Sequence, residues 1–195
     1  MITEIAYQLA KQIATDLSFA DKWAGLVFPL KKLVENIEKT FPASMNIDGV
    51  CDDSDMIDLV PNSDKKSILY LEKIGNIEFT QISKGYYLAD ANLLLVCWYN
   101  LDKINSGVYL DEGVIATNVL TCIPRTIDNA LLTYSKSVNI NPVNMTSGAE
   151  LLSKYTYAEA KTQYATFPYG VIGIQLNIQY VQNKCLDLTQ PHDKC

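Results

Sequence analysis

The chain holds a single arginine, Arg125, and a single histidine, His192, in 195 residues. Each scarcity closes off a class of function. Lysine and arginine together number 16 against 22 acidic residues, for a net charge of −6. Nucleic-acid binding replaces released counterions with clustered Lys and Arg. The densest basic groups here are the pairs Lys31-Lys32 and Lys65-Lys66. Direct sequence-specific nucleic-acid binding is therefore not expected, and neither is docking on an anionic membrane. A Ser-His-Asp or Cys-His catalytic arrangement needs a rigidly held imidazole, yet His192 follows Pro191 near the end of the chain. The nine glycines are scattered, with no GxGxxG or GxxxxGK[ST] loop to cradle a phosphate. Long hydrophobic runs are missing too. The longest, Leu93–Tyr99, falls far short of the ~20 residues of a membrane-spanning helix. Glu4, Lys11 and Asp16 interrupt the first apolar pattern, so a signal peptide is not expected there.

What is present suits one soluble globular domain. Charged residues make up only 19% and apolar residues 48%, and a chain of this length can bury a full core without staples. The expected layout is a single α+β domain over 1–195, with a long irregular acidic loop at about 43–66 and a short polar tail.

Five cysteines, an odd number, point to free thiols in a reducing compartment. Cys97 and Cys122 lie in apolar patterns and are expected to be small buried hydrophobes. Near the end, Cys185, His192 and Cys195 are spaced C-x6-H-x2-C, whereas structural zinc is usually held by tighter pairs. In the acidic loop, Asp53 and Asp55 match the first step of a calcium loop, but neither the required glycine nor the closing glutamate follows. No metal and no cofactor is expected. Paired carboxylates remain available for acid–base work, although no pair stands out among the 22 acidic residues.

Periodicity sketches the elements. Ile5, Leu9, Ile13 and Leu17 predict an amphipathic helix over 3–20, with Thr3 as N-cap. Residues 23–42 fit either a helix or two short strands with a turn. Strands are expected at 67–74 and 77–82, turning at Gly75-Asn76, and at Asn92–Leu101, buried on both faces. Val114, Ile115, Val119 and Leu120 predict a helix over 111–123, continuing past Pro124 through Ile127 and Leu131. A short strand at 137–140 precedes Pro142. Ser147-x-x-Glu150 and Thr156-x-x-Glu159 read as capping boxes.

The final strand is the clearest. Ile172, Ile174, Leu176, Ile178 and Tyr180 alternate with Gly173, Gln175, Asn177 and Gln179. Its polar side carries amides and no charge from Val171 to Val181. Amides donate and accept at once, which suits contact with another polar protein surface, although a solvated sheet face would look the same. These elements predict an α+β fold, a mostly antiparallel sheet with helices packed on one face.

This order of elements resembles the neck and tail-completion proteins of tailed bacteriophages, small α+β ring subunits between portal and tail. The resemblance is carried by the opening helix, the strand around Leu93–Leu101, and the stretch from Tyr155-Thr-Tyr-Ala-Glu through Phe167-Pro-Tyr-Gly170 into the last strand. The Lys-, Asn- and Ile-rich composition is similar to structural proteins of crAss-like phages. The resemblance implies a non-enzymatic virion subunit, made in the bacterial cytoplasm, that closes into a ring as a connector or tail terminator. Its implied partners are further copies of itself and virion proteins such as portal, adaptor or tail subunits. No functional residue of the family is carried over. Asp52, Asp53 and Asp55 of the acidic loop and Gln175, Asn177 and Gln179 of the amide face are the candidate interface residues. The alternatives are a monomeric cytoplasmic protein-binding domain from a mobile element and a carboxylate-dependent hydrolase.

Overall fold

A computed structural model describes residues 1–51, 56–106, 108–133, 135–156 and 166–183. Helix α1 spans Ile2–Asp16 and buries Ile5, Ala6, Leu9, Ala10 and Ile13, the stripe its spacing dictates. It ends sooner than its periodicity suggests, because Leu17 turns to extended backbone while its N–H still reaches Ile13 O. Met1 takes the N-cap position with no side-chain bond, so Thr3 lies inside the helix and does not cap it.

The ambiguous stretch after α1 is β structure. Strand β1 (Lys22–Leu26) is followed by the hairpin β2 (Phe28–Val34) and β3 (Ile37–Ser44). Glu35 and Asn36, both at positive φ, form its two-residue turn, the arrangement that matches the twist of flanking strands. Much of the expected irregular loop is then used in short strands: β4 (Asn46–Ile47), β5 (Val50–Cys51) and β6 (Ile57–Asp58).

Four long strands form the centre. They are β7 (Ser67–Ser83), β8 (Tyr86–Asn100), β10 (Ser135–Ser147) and β11 (Tyr169–Asn183). The expected turn at Gly75-Asn76 is absent. Gly75 sits at φ +64 in a bulge between Ile74 and Glu78, and the chain turns instead between Ser83 and Tyr86. A second long strand explains this, because β8 pairs with β7 on both sides of the bulge.

Helices α2 (Leu101–Asn105) and α3 (Glu112–Thr121) connect the two pairs, with Asn100 and Asp111 as side-chain N-caps. The predicted continuation of α3 through Ile127 and Leu131 does not form. Past Pro124 the chain makes strand β9 (Thr126–Ile127) and a 3-10 turn at Asn129–Leu131. Ile127 is buried as a strand residue opposite Val138, a pairing invisible to local periodicity. β10 also runs on through Pro142, where its register against β11 shifts; β9 covers only Val138 and Asn139, and proline is tolerated on an open edge. Ser147 ends β10 and caps nothing, since Gly148 precedes the 3-10 turn at Ala149–Leu152. Of the expected box at Thr156 only the threonine is described, with Glu159 outside the described residues: Thr40 N–H donates to the Thr156 hydroxyl at 2.7 Å and the Thr156 N–H donates to Thr40 O.

The eight-stranded sheet runs β5-β4-β1-β7-β8-β11-β10-β9, with β2-β3-β6 as a separate sheet. Only β1–β7 is parallel among the described pairs, so the protein is a mixed α and β fold around a large, mostly antiparallel sheet. Alternation divides its core in two. Leu93, Leu95, Cys97, Ile172, Ile174 and Leu176 join residues of α1 and α3 in one cluster. The intervening Val96, Trp98 and Val171 join Phe41, Leu59, Leu152 and Tyr155 in the other. β8 is thus buried on both sides from Leu95 to Asn100, as its unbroken apolar run predicts. Burying each such Leu or Ile contributes about 1.5–3 kcal/mol. Cys97 is wholly buried, but Cys122, as the C-cap of α3, is only half-buried, which corrects the expectation that both are core.

Candidate functional site

Beyond the level of the second cluster, the same sheet side becomes polar. β11 pairs with β8 without interruption, setting Asn177 opposite Asn92 and Gln179 opposite Asp90. On the outer side, Asn141 lies opposite Asn177 and Asn139 opposite Gln179. On the inner side, Glu78 of β7 lies opposite Asp90. The amides of β11 therefore form the centre of a polar face four strands wide. Gln175, Asn177 and Gln179 are all half-buried in it, and Asn139, Asn141 and Asn144 are exposed.

Asp90 organises this face. Asn177 Nδ2 donates to its Oδ1 at 2.6 Å, and Gln179 Nε2 donates to its Oδ2 at 2.9 Å. One carboxylate thus receives an amide on each oxygen, charge-assisted bonds that hold both side chains in place. The amides keep their carbonyl oxygens as acceptors toward whatever lies above. Asp90 falls outside the strand expected over Asn92–Leu101, whereas β8 begins at Tyr86. The signal was available in Ala89-Asp-Ala-Asn-Leu93, which alternates apolar and polar in phase with β11.

A second polar cluster was not anticipated. Glu72, only 3% exposed, accepts from the Tyr155 hydroxyl at 2.5 Å and from Lys154 Nζ. Glu72 lines an open cleft of about 480 Å³ together with Leu94, Thr146, Glu150 and Lys154. Both of its oxygens are engaged, so this carboxylate fastens the segment after β10 to the sheet.

Gln175, Asn177 and Gln179 are brought together with Asp90 and Asn92. Asp52, Asp53 and Asp55 lie outside the described residues, as do Cys185, His192 and Cys195. Among the described residues, no group of three or more His, Cys, Asp or Glu side chains is placed to hold a metal ion. No described helix is long and apolar enough to cross a membrane. Burial pushes the Cys97 thiol up to about 12 and raises that of Cys122, away from the range of an activated nucleophile. In comparison with known proteins, the chain matches no protein-family model and no curated sequence.

Proposed function

We propose that this chain is a non-enzymatic virion structural subunit that closes into a ring at a phage head–tail junction, as a neck, connector or tail-terminator protein. Its partners are further copies of itself and neighbouring virion proteins such as portal, adaptor or tail subunits. The observation that carries this proposal is the contrast between a filled core and large apolar side chains left outside it on hairpins. Leu33 and Ile37, next to the β2–β3 turn, are 78% and 60% exposed, and Phe79 and Ile82, near the β7–β8 turn, are each 54% exposed. Exposed apolar groups at hairpin ends suit contact with another protein.

The amide face gives further support. It can bury against a neighbour by exchanging hydrogen bonds, while leaving the free subunit soluble. The helices are taken as packed on one side of the sheet, in keeping with Ile5, Leu9, Ile115 and Val119 sharing a cluster with Leu93 and Ile174. A carboxylate-dependent hydrolase is less well supported, because the buried Glu72 has both oxygens engaged. A monomeric protein-binding domain from a mobile element would use the same exposed residues.

The deciding experiment is mass spectrometry of purified virions, with negative-stain microscopy of the purified protein. Presence in the particle and closed rings are the expected results; absence from purified virions overturns the proposal. Charge reversal of Asp52 and Asp53 is then expected to weaken stacking without unfolding the subunit.

A further inference from the structure

Three strands leave long outer edges uncovered among the described residues. β2 pairs only with β3. β7 has β1 beside it only from Ile68 to Leu71, and β10 has β9 beside it only at Val138 and Asn139. Open edges are templates for further strands, and proteins guard them with charge, proline or bulges. β2 carries Pro29, Lys31 and Lys32. The open part of β7 carries Lys73 and Glu78 and is broken by two register shifts. β10 has Pro142 and one register shift at the start of its open part, and nothing comparable after that. No charged residue occurs from Ser137 to Ala149, and Val143 and Met145 are 61% and 42% exposed.

The backbone on this edge also lacks a strand to bond. Ile140 N–H, within reach of β9, donates to Arg125 O. Met145 N–H instead donates to the side chain of the residue before it, Asn144 Oδ1, at 2.8 Å. That local bond is readily exchanged for a carbonyl of an incoming strand.

We infer that Val143–Ser147 of β10 pairs antiparallel with the same segment of a second copy, about a two-fold axis at Met145. A two-fold contact sets a strand against itself, so a charge at or beside the axis meets its like. That disfavours β2, whose central residue is Lys31 with Lys32 beside it, and likewise the charged, twice-bulged edge of β7. On β10 the pairing sets Met145 opposite Met145, Val143 opposite Ser147 and Asn144 opposite Thr146, with no charge among them. The Met145 N–H and C=O then bond across the axis in both directions, joining the two sheets edge to edge. This contact goes beyond the ring, which closes by a head-to-tail contact and would be paired with another ring by this one.

The test is light scattering of the full chain over a concentration series, with amide hydrogen exchange at Met145. Wild type is expected to reach twice 21.8 kDa, or an even-numbered larger species, with Met145 exchange slowing as concentration rises. Met145→Pro removes that donor from an edge that tolerates proline. It is expected to halve the assembled mass while retaining the wild-type circular dichroism. Met145→Lys, which keeps every backbone donor and sets two like charges against each other on the axis, is expected to do the same. A monomer at every concentration overturns the inference, and so does a Met145 amide already protected in the monomer, which would place the chain's own segment on the edge. Rings whose mass neither variant changes overturn the two-fold contact and leave the ring standing. A dimer that both variants abolish, in a protein absent from virions, leaves the two-fold contact standing and removes the ring.

Discussion

The Tyr155 hydroxyl donates to Oε1 of Glu72 at 2.5 Å, joining residues 83 positions apart. Tyr155 is 1% exposed and Glu72 3%, so the pair sits where an unmet carboxylate oxygen would be costly. Tyr155→Phe keeps the ring and removes the hydroxyl that makes this bond, and is expected to cost about 1.5–3 kcal/mol. Lys154→Met removes the other partner, whose side chain is 49% exposed, and is expected to cost a similar amount, because it leaves a nearly buried carboxylate oxygen unmet. Urea unfolding midpoints measure both. A Tyr155→Phe midpoint equal to wild type would show that the bond contributes nothing.

Thiol labelling should separate Cys97 from Cys122. At pH 8, Cys97, with its thiol pushed up to about 12 by burial, is expected to resist iodoacetamide until the protein unfolds. Half-buried Cys122 reacts first, though more slowly than an unhindered thiol, because burial raises its pKa as well. Peptide mass spectrometry of timed samples reads both rates. Labelling of Cys97 ahead of Cys122 would contradict the packing of β8.

The same burial makes the fold sensitive to alkali. Cys97 is raised from 9.0 to about 12, and Tyr99 from 10.0 to about 12, chiefly by burial and then by the charge of Glu112. Between the unfolded and folded values the unfolded chain has released the proton and the native chain retains it. Stability from these groups is therefore full below pH 9 and falls as pH rises from 9 towards 12. Denaturant midpoints taken at pH 8 and at pH 10.5 should differ in that direction. Equal midpoints would count against such deep burial.

Gly25 marks where α1 meets β1. A Cβ placed there would lie 2.9 Å from the Tyr7 Cα, a backbone atom with no freedom to swing aside. Gly25→Ala is expected to push α1 outward and cost about 1–3 kcal/mol, read as a lowered melting temperature. An unchanged melting temperature would mean that the helix can slide without loss.

The polar face should matter more to assembly than to folding. Asp90→Ala leaves the amides of Asn177 and Gln179 half-buried and near water, and is expected to cost about 1 kcal/mol. Under the ring proposal, Gln175→Lys together with Gln179→Lys leaves the melting temperature near wild type but reduces assembled mass in light scattering. Loss of soluble subunit instead would assign these amides to folding.

The local signals of the sequence determined a good deal. The 3.6-residue spacing of Ile5, Leu9 and Ile13 marks α1, and the strict alternation after Gly170 marks β11 and both of its sides. Such patterns suffice wherever a segment's own periodicity meets one buried surface. They mislead where a distant partner decides. Gly75-Asn76 has the composition of a turn, but β8 holds both halves of β7 in one ladder and makes it a bulge. Ile127 fits a helical stripe, but Val138 takes it into a strand. Only the tertiary structure set Asp90 under Asn177 and Gln179, or Tyr155 against Glu72. Period and sidedness are written in neighbouring residues, whereas register is chosen by the summed burial and bonding of whole strands. No short stretch of chain contains that sum.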